Sequence, residues 1–200
     1  MSGLIPRAVE ISHRLLKMAV KEGDTVIDGT AGKGRDTCFL AGLVGETGLV
    51  WAFDIQEEAC RATTVALTDA GLLARAHVIC DDHAHIAAYD ISPAAAAIFN
   101  LGWLPGSDHA VVSGEGTLVA LRAALAKLRE GGALIVVAYP GHTEGAEEYA
   151  IVKKWISLLP EKEARSLQIS YPAHVQAPII LLIEKQYSID WRFKNENSQA

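Results

Sequence analysis

Cysteine is scarce in this chain: Cys38, Cys60 and Cys80 are the only three among 200 residues. They are far apart, odd in number and form no CxxC pair, which excludes a disulfide framework and a thiolate zinc site. They read as small buried apolar residues. Positive charge is also in deficit, with 18 Lys and Arg against 24 Asp and Glu and a net charge of −6. The chain has no global field to hold nucleic acid, so an RNA partner would require a local basic patch. Long apolar runs are missing. The runs ALIVVA (133–138) and IILLI (179–183) fall far short of the roughly 20 residues of a membrane helix. The opening MSGLIPRAVEISHRLLKMAV carries charges through its apolar face and lacks the compact block of a signal peptide. A cytoplasmic location without membrane association is the expectation. Internal repeats and low-complexity linkers are absent too. What remains is a chain that is 50% hydrophobic, enough for one sizeable core. We expect a single domain over residues 1–200, with 186–200 as a loose tail.

Short β-branched runs alternate with longer segments of helical period, the signature of βαβ units around a mostly parallel sheet. The fold class is therefore α/β. A leading helix spans 6–21, opened by Pro6 and ended by Gly23. Strands are expected at 25–28, 49–54 and 76–80, with helices at 35–44 and 57–70 between them. The run AAAAIFN, ending in Asn100, follows Pro93 and reads as a buried fourth strand despite its four alanines. A helix over 115–129 stopped by Gly131 and Gly132, a fifth strand over 133–139 and a helix over 144–159 come next. SLQISY (166–171) and PIILLIEK (178–185) follow without an intervening helix and should pair as an antiparallel hairpin. The count is then seven strands, against six parallel ones in a dinucleotide-binding domain.

The stretch VIDGTAGKGRDT (26–37) places an acid at the end of the first strand and crowds glycines into the turn that follows. Glycines there let backbone approach a ligand closely. A phosphate-binding P-loop needs Ser or Thr after Gly-Lys, yet Gly34 follows Gly32-Lys33. A dinucleotide fingerprint would need a glycine where Thr37 stands. The loop is similar to the acid-x-Gly-x-Gly-x-Gly loop of class I methyltransferases, with Asp28, Thr30 in the first glycine place, Gly32 and Gly34. An acid beside the loop suits a cationic sulfonium ligand and would repel a pyrophosphate. Asp54 ends strand two, where a carboxylate can accept both ribose hydroxyls. Asp81, Asp82 and His83 end strand three, where an adenine edge would lie. The plainer alternative is that Asp28, Asp54 and Asp81 cap the following helices.

Strand four ends in NLGWLPGSDHAV (100–111), at the sheet edge where α/β ligands bind. The stretch resembles the Asn-Pro-Pro-Tyr loop of amino-directed methyltransferases, with Asn100 first and Leu101-Gly102-Trp103 in place of Pro-Pro-Tyr. In that family the Asn oxygen accepts a hydrogen bond from the target nitrogen and aims its lone pair. Trp103 could stack on an everted base. Otherwise Asn100 caps a loop and Trp103 is core. Seven histidines are present without HxxxH or HExxH spacing, so no metal is implied. His142, just after strand five, is the candidate for proton removal or substrate orientation.

Together, DGTAGKGRDTCFLA, FDIQ, CDDH, NLGWLPGSD, YPGHTEGAEE and PIILLIEK resemble the YtqB/MnmM-like family of class I methyltransferases, long labelled rRNA methylases, over about residues 6 to 186. The resemblance implies a Rossmann-like fold and S-adenosyl-L-methionine as cofactor, with S-adenosyl-L-homocysteine as product and no metal. It implies cofactor contacts from Asp28, Thr30, Gly32, Lys33, Gly34, Asp36, Thr37, Asp54, Gln56, Asp81, Asp82 and His83. Substrate contacts would come from Gly102, Trp103, Leu104 and Pro105, and catalytic roles from Asn100 and His142. The implied reaction is N-methylation of the 5-aminomethyl group of 2-thiouridine at the tRNA wobble position by direct displacement, with the tRNA anticodon region as partner and a homodimer as assembly. Lys33, Asp82 and Trp103 depart from the usual Asn, Ser and Tyr of that family. Lys127, Arg129, Lys153, Lys154 and Arg165 are candidates for a local basic surface. A methyltransferase of rRNA or of a small amine, and a non-catalytic nucleoside- or RNA-binding module, are the competing readings.

Overall fold

The computed structural model describes residues 4–102, 114–174 and 176–186. Its strands are β1 (Thr25–Asp28), β2 (Leu49–Asp54), β3 (Ala76–Cys80), β4 (Ala94–Leu101), β5 (Leu128–Ala138), β6 (Ala164–Ile169) and β7 (Ile179–Lys185). The helices are α1 (Ala8–Ala19), α2 (Arg35–Val44), α3 (Glu57–Asp69), α4 (Gly114–Lys127) and α5 (Thr143–Ser157). One seven-stranded sheet runs in the order β3-β2-β1-β4-β5-β7-β6. Strands β1 to β5 pair in parallel, and β7 lies antiparallel to both β5 and β6. The chain winds outward from β1 to β3 and then returns past β1 to β4, which opens a crevice at the carboxyl ends of β1 and β4.

Alternation along the strands feeds two cores. Val26 and Ile98 face one layer with Leu16, Leu40 and Val44 of α1 and α2; Ile27 and Phe99 face the other with Leu121 and Leu125 of α4 and Trp155 of α5. Ala94 to Phe99 are all fully buried, so burial on both sheet faces overrides the helix propensity of four consecutive alanines.

Several boundaries differ from the sequence-based expectation. Gly131 and Gly132 do not stop a helix: α4 ends at Lys127 and β5 begins at Leu128, so both glycines lie inside the strand. The pairing register shifts between Ala94 and Ala96, and Gly131 takes a φ of +71°, the backbone signature of a bulge that only glycine accommodates readily. Strand β6 starts at Ala164 and ends at Ile169, two residues ahead of its expected span. Cys80 is exposed rather than buried. No described helix is long and apolar enough to cross a membrane.

Candidate active site

The carboxyl ends of β1, β2, β3 and β4 converge on the glycine turn between β1 and α2. Asp28 is fully buried. Its Oδ2 accepts the Thr37 hydroxyl at 2.7 Å and its Oδ1 the Thr30 N–H at 3.1 Å. Burial pushes its carboxyl up to about 7, opposed by the Thr37 hydrogen bond and reinforced by the neighbouring Asp36. Gly32 and Gly34 have φ of +54° and +76°, left-handed values that favour glycine. A Cβ on Gly34 would also press on Thr63 Cα at 3.0 Å, so that glycine is required by the approach of α3. On Gly32 a Cβ would meet only the Thr30 carbonyl at 3.9 Å. That open side leaves room for a ligand against bare backbone. Gly29 is constrained differently, since a methyl there would overlap the Phe99 ring.

Asp54, at the tip of β2, accepts the Gly32 N–H at 2.8 Å on Oδ2 and the Gln56 N–H at 3.0 Å on Oδ1. It ties the turn to β2 and keeps lone pairs on both oxygens. Neither Asp28 nor Asp54 caps a helix: Gly34 is the N-cap of α2 and Gln56 that of α3, both without a side-chain cap. At the end of β3, Asp81 accepts Tyr89 Oη at 2.8 Å and lies 2.8 Å from His85 Nδ1, contacts that lower its pKa. Asp82, rather than the Asp81 of the capping alternative, caps the 3-10 turn His83–Ala88 through Ala84 N–H. His83 Nδ1 lies 3.0 Å from the Gly29 carbonyl, with its ring edge-on to Phe99. Lys33 is exposed on the turn.

Asn100 ends β4 and is held from two sides. Its N–H donates to Thr30 Oγ1 at 2.8 Å, and its Nδ2 donates to Asp36 Oδ2 at 2.8 Å. Because a carboxylate only accepts, this contact directs the amide nitrogen at Asp36 and leaves the side-chain Oδ1 as an acceptor with no hydrogen-bond partner among the described residues. The other Asp36 oxygen lies 2.6 Å from His13 Nε2. His13 in turn stacks on Phe39 with ring centroids 3.7 Å apart. Sequence reasoning placed Asp36 with the cofactor and passed over His13, because helix α1 gives no sign of reaching the crevice.

His142 acts as N-cap of α5, its Nδ1 accepting the Gly145 N–H at 3.1 Å. Behind it, Glu148 is buried and accepts the Thr117 hydroxyl at 2.6 Å. Burial raises its pKa, while the Thr117 hydrogen bond opposes the rise. Its position, mid-helix among polar residues, offered no signal in the sequence. Gly102 is exposed just beyond β4. Trp103, Leu104, Pro105 and His109 lie outside the described residues, as does the tail from 187. Among the described residues, no group of three or more His, Cys, Asp or Glu side chains is arranged to hold a metal ion.

The family model described as "Putative rRNA methylase" matches residues 50–185. This chain belongs to that family. A curated relative, the chloroplastic tRNA (mnm(5)s(2)U34)-methyltransferase of Arabidopsis thaliana, is 32% identical over 90% of the chain and 70% of its own length. A crystal structure titled as a "putative rRNA-methylase" from Clostridium thermocellum is 40% identical, covers 92% of this chain and all of its own, and superposes with a TM-score of 0.88. A "putative methyltransferase" from Streptococcus mutans, solved in complex with SAH, is 31% identical over 91% of this chain and 99% of its own, with a TM-score of 0.83. The fold is that of class I methyltransferases and the protein is an S-adenosylmethionine-dependent methyltransferase. The residues present fit this cofactor: the open side of Gly32, the half-buried Asp54 and the buried acid Asp28 line the same turn.

Proposed function

We propose that the protein N-methylates the 5-aminomethyl group of 2-thiouridine at the wobble position of tRNA. One observation carries this reading: the Asp36 contact fixes the Asn100 amide near the end of β4 so that Oδ1 is presented as an acceptor with no partner among the described residues. A single fixed acceptor suits an amine nitrogen that must present one lone pair. The likeness to the plant tRNA (mnm(5)s(2)U34)-methyltransferase supports the aminomethyl group of a thiouridine as the amine.

Asp28, Gly32, Asp54 and Gln56 would hold the cofactor along the glycine turn, with Asp81, Asp82 and His83 toward its base. When bound, S-adenosylmethionine supplies an electrophilic methyl group. The protein's own task is to receive the neutral amine, since an alkylammonium has no lone pair. Asn100 accepts one amine N–H and thereby aims the nitrogen. Positioning of this kind is worth roughly 7 to 11 kcal/mol of a bimolecular barrier. His142 is the candidate for orienting the substrate from the β5 side, through the ring nitrogen that does not cap α5. Trp103, Leu104 and Pro105 contact the substrate in this reading, residues 1–200 act as one domain, and the enzyme works in the cytoplasm as a homodimer.

The family description favours rRNA as a second substrate reading. One experiment separates the two: labelled methyl transfer from S-adenosylmethionine to bulk tRNA and to rRNA from a strain lacking this gene, followed by nucleoside mass spectrometry. A methylated aminomethyl-thiouridine is expected. Label confined to rRNA would overturn the tRNA reading while leaving the chemistry intact.

A further inference from the structure

We propose that the cavity between α1 and α2 is a subsite for the RNA strand flanking the target nucleotide. It rests on the RNA reading above and adds where the strand runs. The cavity measures about 340 Å³ and is lined by Glu10, His13, Arg14, Lys17 and Phe39. That size suits a single nucleotide unit.

Three observations converge on this occupant. Charge is the first: residues 7–21 hold Arg7, Arg14, Lys17 and Lys21 against the single acid Glu10, in a chain whose net charge is −6. Glu10 is paired with Arg7 at 3.5 Å, whereas Arg14 and Lys17 form no ion pair among the described residues and are exposed. Aromatic surface is the second. Phe39 and His13 stack with an interplanar angle of 7°, and Lys17 Nζ sits 5.8 Å from the Phe39 centroid. Aromatic faces interleaved with cations are the chemistry that holds single-stranded nucleic acid. Connection to the reacting edge is the third. His13 lies 2.6 Å from Asp36, which takes the Asn100 amide at 2.8 Å. One carboxylate thus joins the cavity wall to the residue that receives the amine.

The other cavity of similar size, about 350 Å³, has none of this. It lies at the opposite rim of the sheet, and its cations are already engaged. Lys127 donates to the Tyr89 carbonyl, Arg129 is held by Asp24 at 2.6 Å and Lys185 donates to the carbonyls of Ala126 and Leu128. Lys127 and Arg129 are thus already bonded within the protein.

The test measures tRNA affinity by fluorescence anisotropy across a salt series, with homocysteine-product affinity by calorimetry on the same samples. The double variant Arg14→Glu/Lys17→Glu should weaken tRNA binding at least tenfold and lower the salt slope by about two, one per lost phosphate contact. Its affinity for S-adenosylhomocysteine should match the parent, which also certifies the fold. The milder Lys17→Gln substitution should move tRNA affinity in the same direction by a smaller factor, and it answers the question if the double variant fails to fold. Charge reversal at the exposed Lys162, in the turn before β6, Lys162→Glu, is the control. Parental tRNA affinity in the α1 variants, or an equal loss in the Lys162 variant, overturns the subsite. If the parent protein binds no RNA at all, the RNA reading itself fails, and the subsite with it.

Discussion

The two halves of the crevice are built in different ways. On the β1–β2 side, the turn bonds to itself and to the strands beside it: Thr30 N–H and Thr37 to Asp28, Gly32 N–H to Asp54, Ala31 N–H to the Phe53 carbonyl and Thr63 to the Gly32 carbonyl. On the β4 side, Asn100 is held by Thr30 and Asp36, and Asp36 by His13 across two helices. A turn anchored by many backbone hydrogen bonds keeps its shape when a single side chain on the β4 side is lost. A side chain held by distant partners has its orientation only when the whole sheet has closed. The cofactor side should thus tolerate losses on the catalytic side, and the reverse dependence should be strong.

Substitutions can break this asymmetry. The largest effect is expected for Asn100→Ala, which should lower the methyl-transfer rate by about 10²-fold or more through lost positioning while the calorimetric affinity for S-adenosylmethionine stays near that of the parent. Steady-state rates set beside cofactor titrations check this. A variant that lost cofactor and rate together would erase the distinction between the halves. Asp36→Ala should reproduce much of that rate loss, because the Asn100 amide would lose the partner that orients it. Unchanged rates would mean that Thr30 alone suffices.

Gly29→Ala should destabilise the fold by about 1–3 kcal/mol through overpacking against Phe99. Thermal melts of this variant and of Gly29→Ala combined with Phe99→Leu should show partial recovery in the pair. On the cofactor side, Asp54→Ala should weaken S-adenosylmethionine binding by on the order of 1–3 kcal/mol, the cost of losing a charged hydrogen-bond partner. The remaining effect is a pH dependence. Asp28 has its carboxyl raised from 3.8 to about 7, so the folded state holds a proton that the unfolded state has released. Stability contributed by this group is fully present below pH 4 and lost as pH rises to about 7. Asp28→Asn should flatten that part of the stability curve. In the parent, binding of the cationic cofactor should tighten as pH rises through 7, with a proton released to the buffer. Calorimetry in buffers of different ionisation enthalpy reads that proton directly.

Legibility in the sequence follows the same division. The strand tips at Asp28 and Asp54 and the turn at Gly32 and Gly34 were visible because glycine placement and strand-ending acids are local signals. For Asp36 the family resemblance implied a cofactor contact, and the links of its side chain to α1 and β4 were not visible in the sequence. His13 and Glu148 carried no signal, since one lies on an amphipathic helix and the other among exposed acids. The glycine pair at 131 and 132 read as a helix stop because periodicity does not distinguish a C-cap from a bulge inside a strand.

Alternation of apolar strands with helical segments, the glycine turn and the paired final strands were enough to determine the α/β class, the seven strands and the hairpin. These depend on local periodicity and turn chemistry, which are written in consecutive residues. Which side chains share the crevice was decided only by the tertiary structure. Parallel strands join residues separated by whole helices, so the His13–Asp36–Asn100 chain exists only after α1 docks beside β4. The basic cavity on α1 appears by the same closure, because its aromatic wall comes from α2.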